Sequence, residues 1–256
     1  MKKTISIILT LTLLVSALSI VGCGKVKDGA TVERLATKTP MELYHSELNA
    51  ISKSYVYSIT TTQVIAYSTK TTTDTISVKT DGYNAYSKTQ SETTPSSNVE
   101  AWYVDGTLYT YMMGTKSKTS YSLDTFTSKY MNGNTLNASL LDLDDTAFGD
   151  AVFVRKDGYW TVTLTLDRDY CSTLLVNSST SGTISLTRLP VGDVVYEMFF
   201  NDDGKLQKIS AYYDVNDIYN MTAKAKCTLT TVIQTGDVTV SAPADASSYQ
   251  SVNLPN

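Results

Sequence analysis

Trp160-Thr161-Val162-Thr163-Leu164-Thr165-Leu166 puts an apolar side chain at every even position and a threonine at every odd one. Successive side chains of a strand point to opposite faces, so the stretch reads as a β-strand with one face buried and one wet. Lys156-Asp157-Gly158, immediately before it, is a tight-turn signal that returns the chain to a strand at 151–155. A hairpin with one apolar face is therefore the unit from which the fold is built.

The same period of two recurs on both sides of this hairpin. Tyr55, Tyr57, Ile59, Gln63, Ile65 and Tyr67 fall on one side of a long predicted strand, which Ile76 and Val78 and a strand at 83–87 continue across the Asp81-Gly82 turn. Val104-Asp105-Gly106-Thr107 predicts a second hairpin, 99–104 with 108–113. Further strands are predicted at 183–188, 194–200, 206–215 and 221–233, with Asp203-Gly204 turning one pair.

Helical spacing breaks this pattern at a few places. Thr39-Pro40-Met41-Glu42 has the form of a helix start, with Thr39 as the cap, Pro40 in the first turn and Glu42 three residues beyond the cap. Met41, Tyr44, Leu48, Ile51 and Tyr55 then form the predicted apolar stripe. Shorter helices are expected at 122–131, with Phe126 and Tyr130 on one side, at 136–143, and at 168–177 behind Asp167 as cap. An antiparallel sheet with one wet face must have its other face covered or closed on itself. The fold class expected is α+β: a curved sheet, an incomplete antiparallel β-barrel, wrapped around a few helices.

The N-terminus is read from charge and length. Lys2 and Lys3 precede a run from Ile5 to Val21 that is apolar apart from scattered hydroxyls and ends in Ile20-Val21-Gly22-Cys23. A basic start, a short apolar run and a small residue before the end are the marks of a secretory signal, and the run falls short of a membrane span. Ile20-Val21-Gly22-Cys23 resembles the lipobox of bacterial lipoproteins. That resemblance implies a thioether-linked diacylglycerol on Cys23, which becomes the first residue of the mature chain. The organisation expected is a lipoprotein signal peptide at 1–22, a flexible tether at 23–37, a single α+β ligand-binding domain at 38–235 and a loosely laid C-terminal tail at 236–256. The location expected is extracytoplasmic, lipid-anchored to the bacterial cell membrane by the N-terminal acyl chains.

Composition excludes several functions. The chain carries 21 basic and 25 acidic residues, and loss of Lys2 and Lys3 takes the net charge from −4 to −6. Nucleic acid is excluded as a partner, since phosphate binding depends on clustered Lys and Arg. His45 is the only histidine, so a Ser-His-Asp or Cys-His site would have to use it, and no cysteine lies near it in sequence. No spacing suggests zinc or a phosphate loop. Asp142-Leu143-Asp144-Asp145 and Asn201-Asp202-Asp203-Gly204 offer carboxylates, but neither completes a calcium loop, and turn acids are the expected role. No catalytic residue, metal ligand or cofactor is therefore assigned, although a pair of acids brought together only by folding would escape this reading. Cys171 and Cys227 are open to two readings, a disulfide in an oxidising compartment or two buried small side chains.

The helix at Thr39 to Lys53, the strand opening Tyr55-Val56-Tyr57, and Glu100-Ala101-Trp102-Tyr103-Val104-Asp105-Gly106-Thr107-Leu108-Tyr109 together resemble the plan of the LolA/LolB-like lipoprotein carriers and their lipoprotein relatives. The resemblance lies in the order of elements over residues 38–235, without a diagnostic motif, and carries over no functional residues. It implies a half-open barrel around a hydrophobic cavity, with Trp102, Tyr109, Tyr111 and Trp160 as candidate lining on the sheet's inner face. The function expected is non-enzymatic binding of a lipid or other hydrophobic ligand. The alternative is a surface lipoprotein that binds a protein or cell-wall glycan through an exposed sheet face.

Overall fold

The computed structural model describes residues 35, 37–131, 140–178 and 188–252. Cys23, the signal segment and nearly all of the tether lie outside the described residues, as do half of the predicted helix at 136–143 and most of the predicted strand at 183–188.

Helix α1 (Pro40–Ser52) starts as the sequence dictates. The Thr39 side chain accepts from the Glu42 backbone N–H, and the Glu42 carboxylate accepts from the Thr39 N–H at 2.8 Å, a reciprocal capping box. Its buried face is rotated from the predicted stripe: Leu43, Tyr44, Glu47 and Ile51 are buried, while Tyr55 lies past the helix end and is exposed. After α1 come β1 (Tyr57–Ala66), β2 (Thr71–Thr80), β3 (Ala85–Ser91), β4 (Val99–Val104), β5 (Thr107–Met112) and β6 (Thr115–Ser120). Helix α2 (Leu123–Phe126) continues as a π turn over Thr127–Met131, and β7 (Val154–Lys156) and β8 (Tyr159–Leu166) follow. The chain then forms α3 (Arg168–Ser178), β9 (Val194–Phe200), β10 (Leu206–Asn216), β11 (Lys224–Thr235) and β12 (Gln250–Ser251). The Leu140–Leu143 part of the predicted second helix is not helical.

Among the described residues the strands make one twelve-stranded sheet in the order β12-β6-β5-β4-β3-β2-β1-β11-β10-β9-β8-β7. Every pairing is antiparallel except β12 on β6, and the two outermost strands, β12 and β7, lie at opposite ends of the order, so the sheet is open. The architecture is the α+β class read from the sequence: a large, unclosed antiparallel sheet with helices on its inner face. Hairpins turn where the sequence offers Asp-Gly. Asp105 and Gly106 have φ 48° and 79°, and Asp157 and Gly158 have φ 50° and 83°, the left-handed pair of a two-residue turn that follows the sheet's twist.

Alternation decides which residues meet. Ile59, Thr61, Gln63 and Ile65 of β1, Ile76 and Val78 of β2, and Leu229, Thr231 and Ile233 of β11 are buried toward the helices. The opposite face is the wet one, where hydroxyl ladders such as Thr60 to Ser77 at 3.0 Å and Thr62 with Thr75 at 3.2 Å run across the strands. The helices are held to the sheet by packing and by buried polar contacts, among them a knot at Tyr44. The Tyr44 hydroxyl on α1 donates to the Leu141 carbonyl at 2.7 Å and meets the Tyr196 hydroxyl of β9 at 3.1 Å. Burial holds the Tyr44 phenol well above its ordinary pKa, so the hydroxyl keeps the proton it donates.

The C-terminal segment is more firmly fixed than a loosely laid tail. The Val240 N–H donates to the Asp81 carboxylate at 3.1 Å, Lys116 and Asp245 form an ion pair, and Val238, Val240 and Tyr249 are buried. The segment crosses the wet face of β3 to β5 and ends as β12, so the strand edge of β6 is covered by the chain itself.

Replacing Tyr44 by Phe removes one hydroxyl and leaves the Leu141 carbonyl without that donor in a dry site. The expected cost is about 1–3 kcal/mol of unfolding free energy, read from urea denaturation; stability equal to that of the unaltered chain would contradict the role given to this contact.

Candidate functional site

The helices cover the inner face unevenly. Where β1 begins and β2 ends, the end of α1 and the start of α2 stand apart and leave a half-open groove of about 510 Å³. Its floor is Tyr57 of β1 and Thr80 of β2, and its walls are Ile51 of α1 and Leu123, Thr127 and Met131 of the α2 segment. The volume is within the usual few hundred to 1,000 Å³ of small-molecule sites, and the lining is the mixture such sites show, apolar bodies with several hydroxyls and one carboxylate, Asp124.

Each wall is fixed by local structure. The Ser122 side chain caps α2 by accepting from the Thr125 N–H. Phe126 is fully buried, its ring 6.1 Å from Tyr103 and 5.1 Å from Tyr130, and the Ser87 hydroxyl donates to the Tyr130 carbonyl at 2.9 Å. These contacts pin the π turn to β3 and β4 and keep Thr127 and Met131 at the groove. On the other side, Ser54 closes a small turn by donating to the Val56 carbonyl at 2.9 Å. Gly82, at φ 91°, lets the β2–β3 turn pass beside Tyr55. Burial raises the Tyr57 pKa, so this phenol is neutral and available as a hydrogen-bond donor at the floor.

The aromatics singled out from the sequence do not meet in the groove. Trp102, Tyr109 and Tyr111 have the opposite parity to the buried Ala101 and Leu108 and lie on the outer face. The Trp102 and Tyr109 rings stand 6.3 and 5.5 Å from Tyr249 of the C-terminal segment. The expectation of an inward position is corrected here: the hairpin was read rightly, but a strand of mixed aromatics on both faces does not reveal which parity is inward. Trp160 is on the inner face, half-buried, with the Arg155 guanidinium 5.2 Å from its ring.

Cys171 and Cys227 are separate free thiols, both buried, one on α3 and one on β11. Burial pushes the Cys171 thiol up to about 11 and raises that of Cys227 as well, so both are protonated small side chains. His45 packs between rings, 5.9 Å from Tyr44 and 6.0 Å from Phe148, and its Nε2 is buried with no hydrogen-bond partner among the described residues. Asp144 and Asn201 are spent on turns: Asp144 accepts from the Thr146 and Ala147 N–H groups, and Asn201 from those of Asp203 and Lys205. Among the described residues, no three His, Cys, Asp or Glu side chains gather as a metal site.

The groove residues themselves were only partly visible beforehand. The alternation puts Tyr57 on the same side of its strand as Ile59 and Ile65, and the spacing predicts a helix at 122–131, but nothing in it says that the two segments face each other across a gap.

Neither a protein-family model nor a curated protein sequence matches the chain. Among solved structures it is similar to the lipoprotein LppX of Mycobacterium tuberculosis, at 11% identity and TM-score 0.35, over 79% of this chain and 100% of that one. It is also similar to LprF of Mycobacterium bovis, at 11% identity and TM-score 0.39, over 80% and 98%. A LolA superfamily protein of Nitrosomonas europaea is similar at 13% identity and TM-score 0.25, over 79% and 96%. These likenesses concern the arrangement of elements, and no residue's role follows from them.

A thiol titration checks the cysteine assignment on the folded chain at pH 8. With Cys23 acylated or replaced by Ser, Cys171 and Cys227 are expected to be silent until denaturant is added and then to react as two thiols. Silence in denaturant as well, reversed by a reductant, would mean that they are bonded to each other.

Proposed function

We propose that the chain is a membrane-anchored extracytoplasmic lipoprotein whose folded domain is a non-enzymatic binding module for a lipid or other amphipathic, largely hydrophobic ligand. The observation that supports it is the groove of about 510 Å³ between α1 and α2, with Ile51, Leu123 and Met131 offering apolar contact and Thr80 and Thr127 offering hydroxyls. A chain of CH₂ groups gains about 0.8 kcal/mol for each one removed from water, and the hydroxyls and the Tyr57 phenol suit a polar head or ester. The anchor in this reading is diacylglycerol on Cys23, for which the lipobox-like Ile20-Val21-Gly22-Cys23 speaks. Among the described residues no helix is long and apolar enough to cross a membrane.

Binding of a protein or glycan by the sheet's outer face gains less support. Trp102 and Tyr109, the aromatics best suited to it, already stack against Tyr249 of the chain's own C-terminal segment.

Native mass spectrometry with organic extraction tests the reading on the chain purified from a bacterial host. A lipid is expected at near-stoichiometric level, and Thr127→Trp, which fills the groove from a partly exposed position, is expected to reduce it about tenfold with unchanged circular dichroism. A clean ligand-free mass for the unaltered chain would overturn the binding reading. Metabolic labelling with an alkyne fatty acid tests the anchor separately: label on the unaltered chain and none on Cys23→Ser is expected, and label on neither would overturn it.

A further inference from the structure

The end of the sheet opposite the groove carries the β1–β2, β3–β4, β5–β6 and β10–β11 connections, and two of these hold large apolar side chains out in solvent. At the β5–β6 tip, Met113 and Gly114 have φ 50° and 80°, the same left-handed pair that the chain makes elsewhere from Asp105-Gly106 and Asp157-Gly158. Asp tolerates that backbone because its short polar side chain bonds locally; a methionine there is strained. Packing does not offset the strain, for Met113 is 72% exposed, and Tyr111 and Met112 beside it are exposed too. A hollow of about 240 Å³ bordered by Pro95, Asn98 and Val99 lies next to Met113 and is left unfilled by it.

The β10–β11 connection at this same end shows a second such group. Met221 is 92% exposed, with Ile218 and Tyr219 exposed beside it. This loop is not loose: buried Asp217 accepts from the backbone N–H groups of Ser68, Tyr219 and Asn220, which ties it to the β1–β2 turn. Its apolar residues are therefore held outward. Lys70 stands 5.5 Å over the Tyr219 ring, with the exposed Glu92 carboxylate acting on it, and exposed Lys224 begins β11, so two cations and one carboxylate stand among the apolar side chains here.

The direction of α1 says what faces this end. Tyr44 is level with Tyr196 in the middle of β9, Glu47 accepts from the N–H of Leu206 at the far end of β10, and Ile51 lines the groove. The helix thus runs toward the groove, and its first turn, with the chain leading into it, lies on the Met113 side. Residues 23–37, fully extended, span about 50 Å at most, which keeps this end within reach of whatever holds Cys23.

We propose that this rim is a membrane-docking surface. Met112, Met113, Ile218, Tyr219 and Met221 enter the interfacial layer of a phospholipid bilayer, with Lys70 and Lys224 at anionic headgroups. The inference rests on the anchoring reading, and its consequence is that the groove faces away from the membrane, toward a ligand arriving from the far side.

The test uses the full acylated chain in vesicles of phosphatidylcholine and phosphatidylglycerol, with a nitrobenzoxadiazole label on Met113→Cys, Met221→Cys or, as a control at the groove end, exposed Tyr83→Cys. Spin-labelled lipids are expected to quench the labels at 113 and 221 severalfold and to leave the label at 83 unchanged. Chain that floats with the vesicles but shows equally unquenched labels at all three sites overturns the docking inference alone, and points to a protein partner for the rim. Chain that does not float overturns the anchoring reading and this inference with it. A further variant separates strain from folding: Met113→Asn is expected to raise Tm by relaxing the turn while weakening quenching at 221. A lowered Tm would overturn the argument from strain.

Discussion

An open sheet with one apolar face must be covered, and the buried knot of Tyr44, Leu141 and Tyr196 is where this chain fastens its cover. The twelve strands alone leave the inner residues of β1, β2, β9, β10 and β11 facing water. Helix α1 removes them from it, and the Tyr44 hydroxyl, at 2.7 Å from the Leu141 carbonyl, fixes where along the sheet the helix sits. Burying a hydroxyl costs several times what its hydrogen bond returns unless the bond is made. Together with buried Glu47, which accepts from the Leu206 N–H, the knot therefore specifies one docking position for α1 where packing of Leu43 and Ile51 alone would allow sliding.

That position sets the two ends of the molecule apart. Because α1 stops at Ser52 and α2 starts at Leu123, the inner face is left accessible where β1 begins, and the groove is the gap between the two helices. At the other end stand the β1–β2, β3–β4, β5–β6 and β10–β11 connections and the first turn of α1. The C-terminal segment completes the arrangement on the wet face, where Asp81 holds the Val240 N–H and Tyr249 covers Trp102 and Tyr109. Burial would raise the Asp81 pKa, but the N–H groups of Asn84, Tyr83 and Val240 outweigh it and hold the carboxyl below its ordinary value. The staple is thus intact above the carboxylate range and is lost as pH falls through it.

Much of this could be read from residues alone because local signals agreed with the global fold. The Thr39–Glu42 capping box, the threonine alternation of β8 and the Asp-Gly hairpins are local in their physics, and each formed where its residues stand. What could not be read was face and contact. Trp102, Tyr109 and Tyr111 lie outside because a one-residue change in parity reverses a strand, and β4 carries aromatics at both parities, Trp102 and Tyr103. The apolar stripe of α1 was displaced for a related reason: Glu47 is buried to accept the Leu206 N–H, a partner distant in sequence that no periodicity announces. The groove belongs to the same class, being a relation between Tyr57 and Met131 rather than a property of either segment.

Hydrogen exchange of the folded chain with and without a short-chain phospholipid tests the central claim most directly. Ligand binding in the gap between α1 and α2 predicts slowed exchange at the backbone amides of residues 51–57 and 122–131, with those of β4 and β5 unchanged. Protection confined to β4, β5 and the segment around Tyr249, or no protection anywhere at saturating lipid, would contradict it.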